Sequence, residues 1–413
     1  MFYQARPMLS RLILVSCLST VSIVASAAPP TATADNYSVN VNGLLTIPPA
    51  SGVLANDTGF NASTHRLEVF DTVSAYGGRV QVNADGSFSY DPQPGFRGRD
   101  TFGYTVRNAE GSASAMVSID VAGNTVWFVD DSAAAGGDGS FAAPFNSFAS
   151  LNGSTGVGDI DAVGDTIFVY AGNYNVEFDV EVGQQLLGES NGLDLIGTAN
   201  DIPAGTRPTL TTGGSFPIIE FFGAGGSARG FNINNASATG LQGAGISNVT
   251  VADIAITLSA GANNAVLFNG TAGTINFNNV DISGAVASTS SALLLLSNAG
   301  TINFVDSSVS GFTGGYVLNV NGNSGTINFD STSDLASTNT RGLTIQTQTA
   351  TGVVNLAGVN LSGGAASEPL IRLQSNNAAS TVNFAEGLSA SATTADSAAF
   401  LSDGGRLAIS GSG

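Results

Sequence analysis

From Asp35 to about Val121 the chain runs in short stretches where apolar and polar residues alternate, each closed by Gly, Pro, Asn or Asp. Alternation with a period of two marks a half-buried strand, and seven such runs at regular spacing read as a β-sandwich. The expected strands are Tyr37–Val41, Leu44–Ile47, Arg66–Val73, Arg79–Val82, Ser87–Tyr90, Thr101–Val106 and Ala113–Val121. The clearest hairpin sets Val80 and Val82 opposite Phe88 and Tyr90, with Asp85-Gly86 in the turn.

Downstream the pattern becomes periodic over a longer range. Five segments align without gaps: Gly273-Thr274-Ile275-Asn276-Phe277, Gly300-Thr301-Ile302-Asn303-Phe304, Gly325-Thr326-Ile327-Asn328-Phe329, Gly352-Val353-Val354-Asn355-Leu356 and Ser380-Thr381-Val382-Asn383-Phe384. Gly245-Ile246-Ser247-Asn248-Val249 is a looser earlier copy. Successive copies start 28, 27, 25, 27 and 28 residues apart. A period in the twenties predicts a solenoid in which each repeat is one coil. A second run precedes each copy, as in Ala265–Phe268, Ala292–Leu296, Tyr316–Val320, Leu343–Gln346, Leu370–Leu373 and Ala398–Leu401. A third, weaker run follows, as in Val280-Asp281-Ile282. The Leu-x-x-Leu-x-Leu signature of leucine-rich repeats is missing, so a parallel β-helix is expected, with Ile and Phe columns inside and Thr and Asn outside. The outer asparagines, Asn276, Asn303, Asn328, Asn355 and Asn383, could line a sugar-binding face. The plainer reading is that their amides bond one another along the stack.

Residues 1–27 follow neither pattern. Arg6 and Arg11 precede an apolar stretch from Leu12 to Val24, and Ala25-Ser26-Ala27 supplies small residues for cleavage, so this segment reads as a signal peptide. It is too short and too rich in Ser and Thr for a membrane anchor. Leu14-Val15-Ser16-Cys17 has the outline of a lipobox, but few apolar residues precede the cysteine. Cys17 is the sole cysteine, so a mature chain starting at Ala28 has no thiol chemistry and no disulfide. The expected organisation is therefore a signal peptide at 1–27, a sandwich module at 28–123 and a solenoid at 124–413. The solenoid's capping coil is expected at 124–200 and its regular coils from about 245.

Composition narrows the chemistry. The 413 residues include 12 basic side chains, all arginine, against 31 acidic ones, for a formal charge of −19. Such a surface repels nucleic-acid phosphates and anionic lipid headgroups. Only 10% of residues are charged while 43% are hydrophobic, which separates the chain from disordered acidic sequences. His65, the one histidine, falls in the first module, so the solenoid cannot hold a histidine-based triad or a histidine-rich metal site.

Three ordered motifs carry a family resemblance. Gly52-Val53-Leu54-Ala55-Asn56-Asp57, Asn83-Ala84-Asp85-Gly86-Ser87-Phe88-Ser89-Tyr90 and Pro94-Gly95-Phe96-Arg97-Gly98-Arg99-Asp100-Thr101-Phe102-Gly103-Tyr104 resemble the bacterial cadherin-like, immunoglobulin-like module of large surface and secreted proteins. The resemblance implies a spacer or adhesion-stalk role, sometimes with calcium at module junctions. Calcium would draw on Asp35, Asp57, Asp100 and Glu110, because it needs several converging oxygens. In related repeats the first of these motifs often continues with a further aspartate, and here Gly59 takes that place. The alternative is that Asp57 and Asp100 bond backbone amides at turns.

A second resemblance begins at Val126-Trp127-Phe128-Val129. With Gly136-Gly137-Asp138-Gly139-Ser140, Phe141-Ala142-Ala143-Pro144-Phe145 and Gly164-Asp165-Thr166-Ile167-Phe168-Val169, this run resembles the capping coil of pectin-lyase-like right-handed β-helices. The glycine cluster is no phosphate loop, since no Gly-Lys-Ser/Thr follows. The resemblance raises a polysaccharide lyase or hydrolase as an alternative function, which would require clustered carboxylates or calcium with a positioned base. From Gly245 onward the acidic residues are Asp253, Asp281, Asp306, Asp330, Asp334, Glu368, Glu386, Asp396 and Asp403, and the basic ones Arg341, Arg372 and Arg406. Asp253, Asp281 and Asp306 recur at similar places in the repeat, so a carboxylate column is one expectation; solvent-facing turns also collect aspartate.

The expected function is thus an exported, non-enzymatic surface or secreted scaffold, adhesin-like, with no cofactor unless calcium binds. Its partners would be cell-surface glycans or other surface proteins, not nucleic acid, and the mature chain holds no spanning segment. Gly404-Gly405-Arg406-Leu407-Ala408-Ile409-Ser410 reads as the start of another coil, so a longer protein is expected.

Overall fold

The computed structural model describes residues 28–59, 66–151, 160–193, 202–235, 238–287, 289–338, 341–363, 369–385, 388–392, 400–402 and 404–409. The expected signal peptide, His65, Glu368, Glu386, Asp396 and Asp403 lie outside them.

The first module is a two-sheet sandwich. One sheet orders β3 (Arg66–Phe70), β6 (Gly98–Asn108), β7 (Gly111–Val129) and β1 (Asp35–Val41); the other orders β2 (Leu45–Ile47), β5 (Phe88–Asp91) and β4 (Arg79–Val82). The expected hairpin forms, with Val80 opposite Tyr90 and Val82 opposite Phe88. Asp85 holds its turn by accepting from the Ser87 N–H at 3.0 Å and hydroxyl at 2.6 Å. Alternation sends Val39, Val41, Phe88, Tyr90, Phe102, Tyr104, Val117 and Ile119 into one core. Phe88 meets Phe102 edge-on across the two sheets, centroids 5.5 Å apart.

The boundary expected at residue 123 falls inside a single strand. β7 pairs antiparallel with β6 as far as Val121, and its last four residues, Val126–Val129, pair in parallel with Thr166–Val169. From there three parallel ladders build a β-solenoid, with about seven turns over residues 209–408. The first ladder takes the repeated segments, from Val126–Val129 through Thr166–Val169, Gln185–Gly188 and Ser227–Arg229 to Thr381–Phe384 and Arg406–Ile409. The second runs from Asn173–Asn175 and Thr209–Thr211 to Leu388–Ala392. The third runs from Phe178–Val180 and Ile219–Ala224 to Phe400–Ser402. In-register stacking therefore begins well upstream of residue 245.

Register gives the interior its columns. Thr274, Thr301 and Thr326 pair across adjacent coils, as do Ile275, Ile302 and Ile327. Phe277, Phe304 and Phe329 stack nearly parallel, with centroids 4.5 and 4.2 Å apart. Each fully buried Phe or Ile contributes about 1.5–3 kcal/mol of transfer free energy. The looser copy at Gly245–Val249 is out of register by two residues, because Thr250, not Asn248, pairs with Asn276. A slip of two keeps every side chain on its proper face, so alternation alone could not reveal it.

Chain direction changes between the first and second ladders at residues in the left-handed region: Asp253 (φ 54°), Asn279 (φ 55°) and Asp306 (φ 49°). Asn and Asp tolerate that conformation better than other side-chain-bearing residues.

Candidate functional surfaces

The four calcium candidates do not form one centre. Asp35 and Asp57 lie together. The Asp35 carboxylate accepts from Asn56 Nδ2 at 3.0 Å, and its buried Oδ2 has no hydrogen-bond partner among the described residues. Asp57 accepts from the Thr33 N–H at 2.7 Å, and the Tyr104 hydroxyl lies 3.1 Å from both its oxygens. Burial and the neighbouring Asp57 push the Asp35 carboxyl up to about 6; burial also raises Asp57.

Asp100, fully buried, is consumed elsewhere, by the hydroxyls of Ser74 and Tyr90 and the N–H groups of Tyr76 and Thr101. Glu110 is exposed in the β6–β7 turn, where its N–H donates to Asn108 Oδ1. Asp57 and Asp100 thus bond backbone amides, as the plainer reading expects. Gly59 sits at φ 84°, and a Cβ there would meet the Pro29 oxygen and Pro30 Cα at 2.9 Å, so this backbone has no room for an aspartate. Among the described residues no group of three or more His, Cys, Asp or Glu is placed to hold a metal ion.

On the solenoid, the repeated asparagines form an unbroken ladder. Asn303 donates to Asn276 at 3.0 Å, Asn328 to Asn303 at 2.9 Å, Asn355 to Asn328 at 2.7 Å and Asn383 to Asn355 at 2.6 Å. Their amides hold neighbouring coils together. A second ladder, missed in the sequence, lies inside the turns preceding three successive copies: Thr271 bonds Asn298, and Asn298 donates to Asn323 at 2.8 Å. All three are almost wholly buried. Each stands two residues before the glycine of its copy, so extending the alignment upstream would have found it.

The expected carboxylate column does not form. Register places Asn279 between Asp253 and Asp306, while Asp281 pairs with Ala255 and Ser308 two positions further along the strand. Asp253 is engaged by Asn279 at 2.8 Å and Asn191 at 3.0 Å; burial opposes its ionisation, but these amides with Arg207 and Arg229 outweigh it and lower its pKa. Asp281 accepts from the Ser308 hydroxyl at 2.5 Å. The arginines are dispersed: Arg372 lies in the third ladder, Arg406 in the first, and Arg341 stands 5.6 Å over the Tyr316 ring. A cleft of about 530 Å³ beside Ala133–Gly137 and Ala142–Pro144 holds a single carboxylate, Asp130, whose Oδ1 is taken by Ser132.

The sandwich order, the Asp85 turn and the Tyr104 hydroxyl tied to Val53 O and Asp57 place all three ordered motifs in one fold. Residues 27–123 match the bacterial cadherin-like domain. No curated protein and no solved structure matches the chain. The cadherin-like module is joined to the solenoid by a packed joint. Arg97 of the module donates to Gly123 O and, at 2.9 Å, to Thr125 Oγ1. Asp165, 4% exposed, accepts from the Thr125 N–H at 3.1 Å, Trp127 Nε1 at 3.0 Å and the Ala162 N–H at 3.0 Å. The loop Gly136–Phe145 covers the outer edge of the first rung, with Phe128 N–H donating to Gly139 O and Phe145 N–H to Phe128 O. Gly139 passes so close to Phe145 and Trp127 that a Cβ would come within 2.2 Å of the former and 2.7 Å of the latter.

Proposed function

We propose that the protein is an exported scaffold of the bacterial surface or its surroundings, in which the cadherin-like module and the solenoid together form an adhesin-like, non-enzymatic stalk. The observation that carries this reading is the asparagine ladder: the most regular polar face of the solenoid spends its hydrogen bonds on holding coils together. The carboxylates support it, since Asp253, Asp281 and Asp306 each have a separate environment. The family of the module, known from bacterial cadherin-like domains, supports a surface location, and no helix among the described residues is long and apolar enough to cross a membrane. Partners in this reading are surface glycans or other surface proteins, and the Asp35–Asp57 pair serves the fold of the module without a cofactor.

The test is an assay of the purified mature protein against acidic polysaccharides. No cleavage is expected. Measurable cleavage that disappears in Asp281→Asn or Asp306→Asn would replace the scaffold with a carbohydrate-active enzyme.

A further inference from the structure

The outer face of the first ladder carries a second repeated column beside the asparagines. Thr274, Thr301, Thr326, Val353 and Thr381 follow one another in register, each two residues before an asparagine of the ladder. Residues two apart on a strand share a face about 6.6 Å from each other, while successive coils lie about 4.8 Å apart. Hydroxyls and amides thus form a partly exposed grid five coils deep. Sheets ordinarily twist, and side-chain ladders can hold them flat. Here the rings of Phe277, Phe304 and Phe329 are inclined to one another by only 7° and 4°, so these coils stack almost without rotation. The fold does not use the threonine hydroxyls. Turn threonines bond other residues, as Thr271 does Asn298 and Thr351 does Ser324 O. The hydroxyls of Thr274, Thr301, Thr326 and Thr381 bond no other described residue. A β-branched side chain has little rotational freedom, so these oxygens stay in place. Each inner asparagine spends one amide N–H and one acceptor position on the ladder, which leaves a second N–H and a lone pair.

We propose that this Thr-Asn face binds ice. Water already held at fixed, regularly spaced donors and acceptors loses little further freedom on joining a crystal. The threonine methyls between them order water without bonding it. A crystal offers its repeat to every coil, so contacts that are weak singly add along the stack. Neither column carries a charged or aromatic side chain from Thr274 to Asn383, so nothing on the grid holds water in a competing arrangement or offers a stacking platform for a sugar ring. A dissolved small ligand takes a concave site, and this face is flat. Val353 keeps the shape of threonine and lacks only its hydroxyl. The activity is additional to the scaffold role and does not depend on it.

The test is partition of the full mature chain between liquid water and slowly grown polycrystalline ice, with a soluble non-binding protein of similar size as control. The chain is expected to be enriched in the ice several-fold over the control and to suppress recrystallisation of fine-grained ice. Thr301→Tyr and Thr326→Lys each set a large side chain in the middle of the grid, and each should lower the enrichment to the control level. Thr257→Tyr, at an exposed position of the second ladder, should leave it unchanged. Circular dichroism near freezing checks the fold, and either grid variant serves alone if the other does not fold. Exclusion of the wild type from ice, enrichment that survives the grid variants, or an equal loss in Thr257→Tyr overturns the proposal. Retention on crystalline cellulose or chitin without enrichment in ice also overturns it, and assigns the face to a glycan.

Discussion

The cadherin-like module and the solenoid solve the same problem, burying polar groups in an all-β chain, in opposite ways. The module uses single devices: Asp100 gathers four donors, and Tyr104 ties the loop at Val53 to Asp57. The solenoid uses repetition, in which each inner asparagine of the ladder serves the coil before it and the coil after it. Loss of one member should therefore be severe in the module and mild in the solenoid's polar ladders. The apolar columns are different again, since they are repeated but fully buried.

Asp100→Ala strands donors on Ser74, Tyr76, Tyr90 and Thr101, at about 1–3 kcal/mol for each that water cannot reach, so a loss above about 3 kcal/mol is expected in urea unfolding of the module. Phe304→Ala opens a gap between two stacked rings and should cost about 3–5 kcal/mol, read as a lower midpoint for the solenoid with the module unchanged. Asn303→Ala removes two half-exposed ladder bonds and is expected to cost about 1 kcal/mol. If it cost as much as Asp100→Ala, the distinction between single and repeated devices would fail. Val353→Thr, which restores the common residue at a half-exposed outer position, should change stability by less than about 0.5 kcal/mol.

These differences also explain what could be read from the sequence. A stacked column asks for the same residue type at the same place in every coil, so Ile275, Ile302 and Ile327 announce themselves as a repeat. The hairpin at Asp85-Gly86 was legible because its signals are local. The misplaced copy at Gly245 was not, because a slip of two residues preserves alternation. The boundary at residue 123 coincides with the end of the cadherin-like match, and along β7 the change in pattern is a change of partners, from β6 to Thr166–Val169, with no break in the strand. Asp165 falls within the Gly164–Val169 motif of the capping coil, but its role as a three-donor acceptor carries no sequence signal of its own. The burial of Asp165 depends on Trp127 and the Ala162 backbone, which pack against it only after folding. The solenoid's aspartates, 28 and 25 residues apart, fail to stack for a related reason, since similar places in the sequence repeat are not equal register where coil length varies.

The ladders, the dispersed carboxylates and the scaffold reading all depend on the register of the coils. A chain beginning at Ala28 has no cysteine, which makes a disulfide test clean. Thr274 and Thr301 are paired on adjacent strands, where Cα atoms lie about 4.8 Å apart, within the span a disulfide tolerates. The double variant Thr274→Cys, Thr301→Cys should form an intramolecular disulfide readily on mild oxidation, while Thr274→Cys with Asn303→Cys should not. Free thiols in the first variant, or equal yields in the two, would contradict the stacking described for the solenoid.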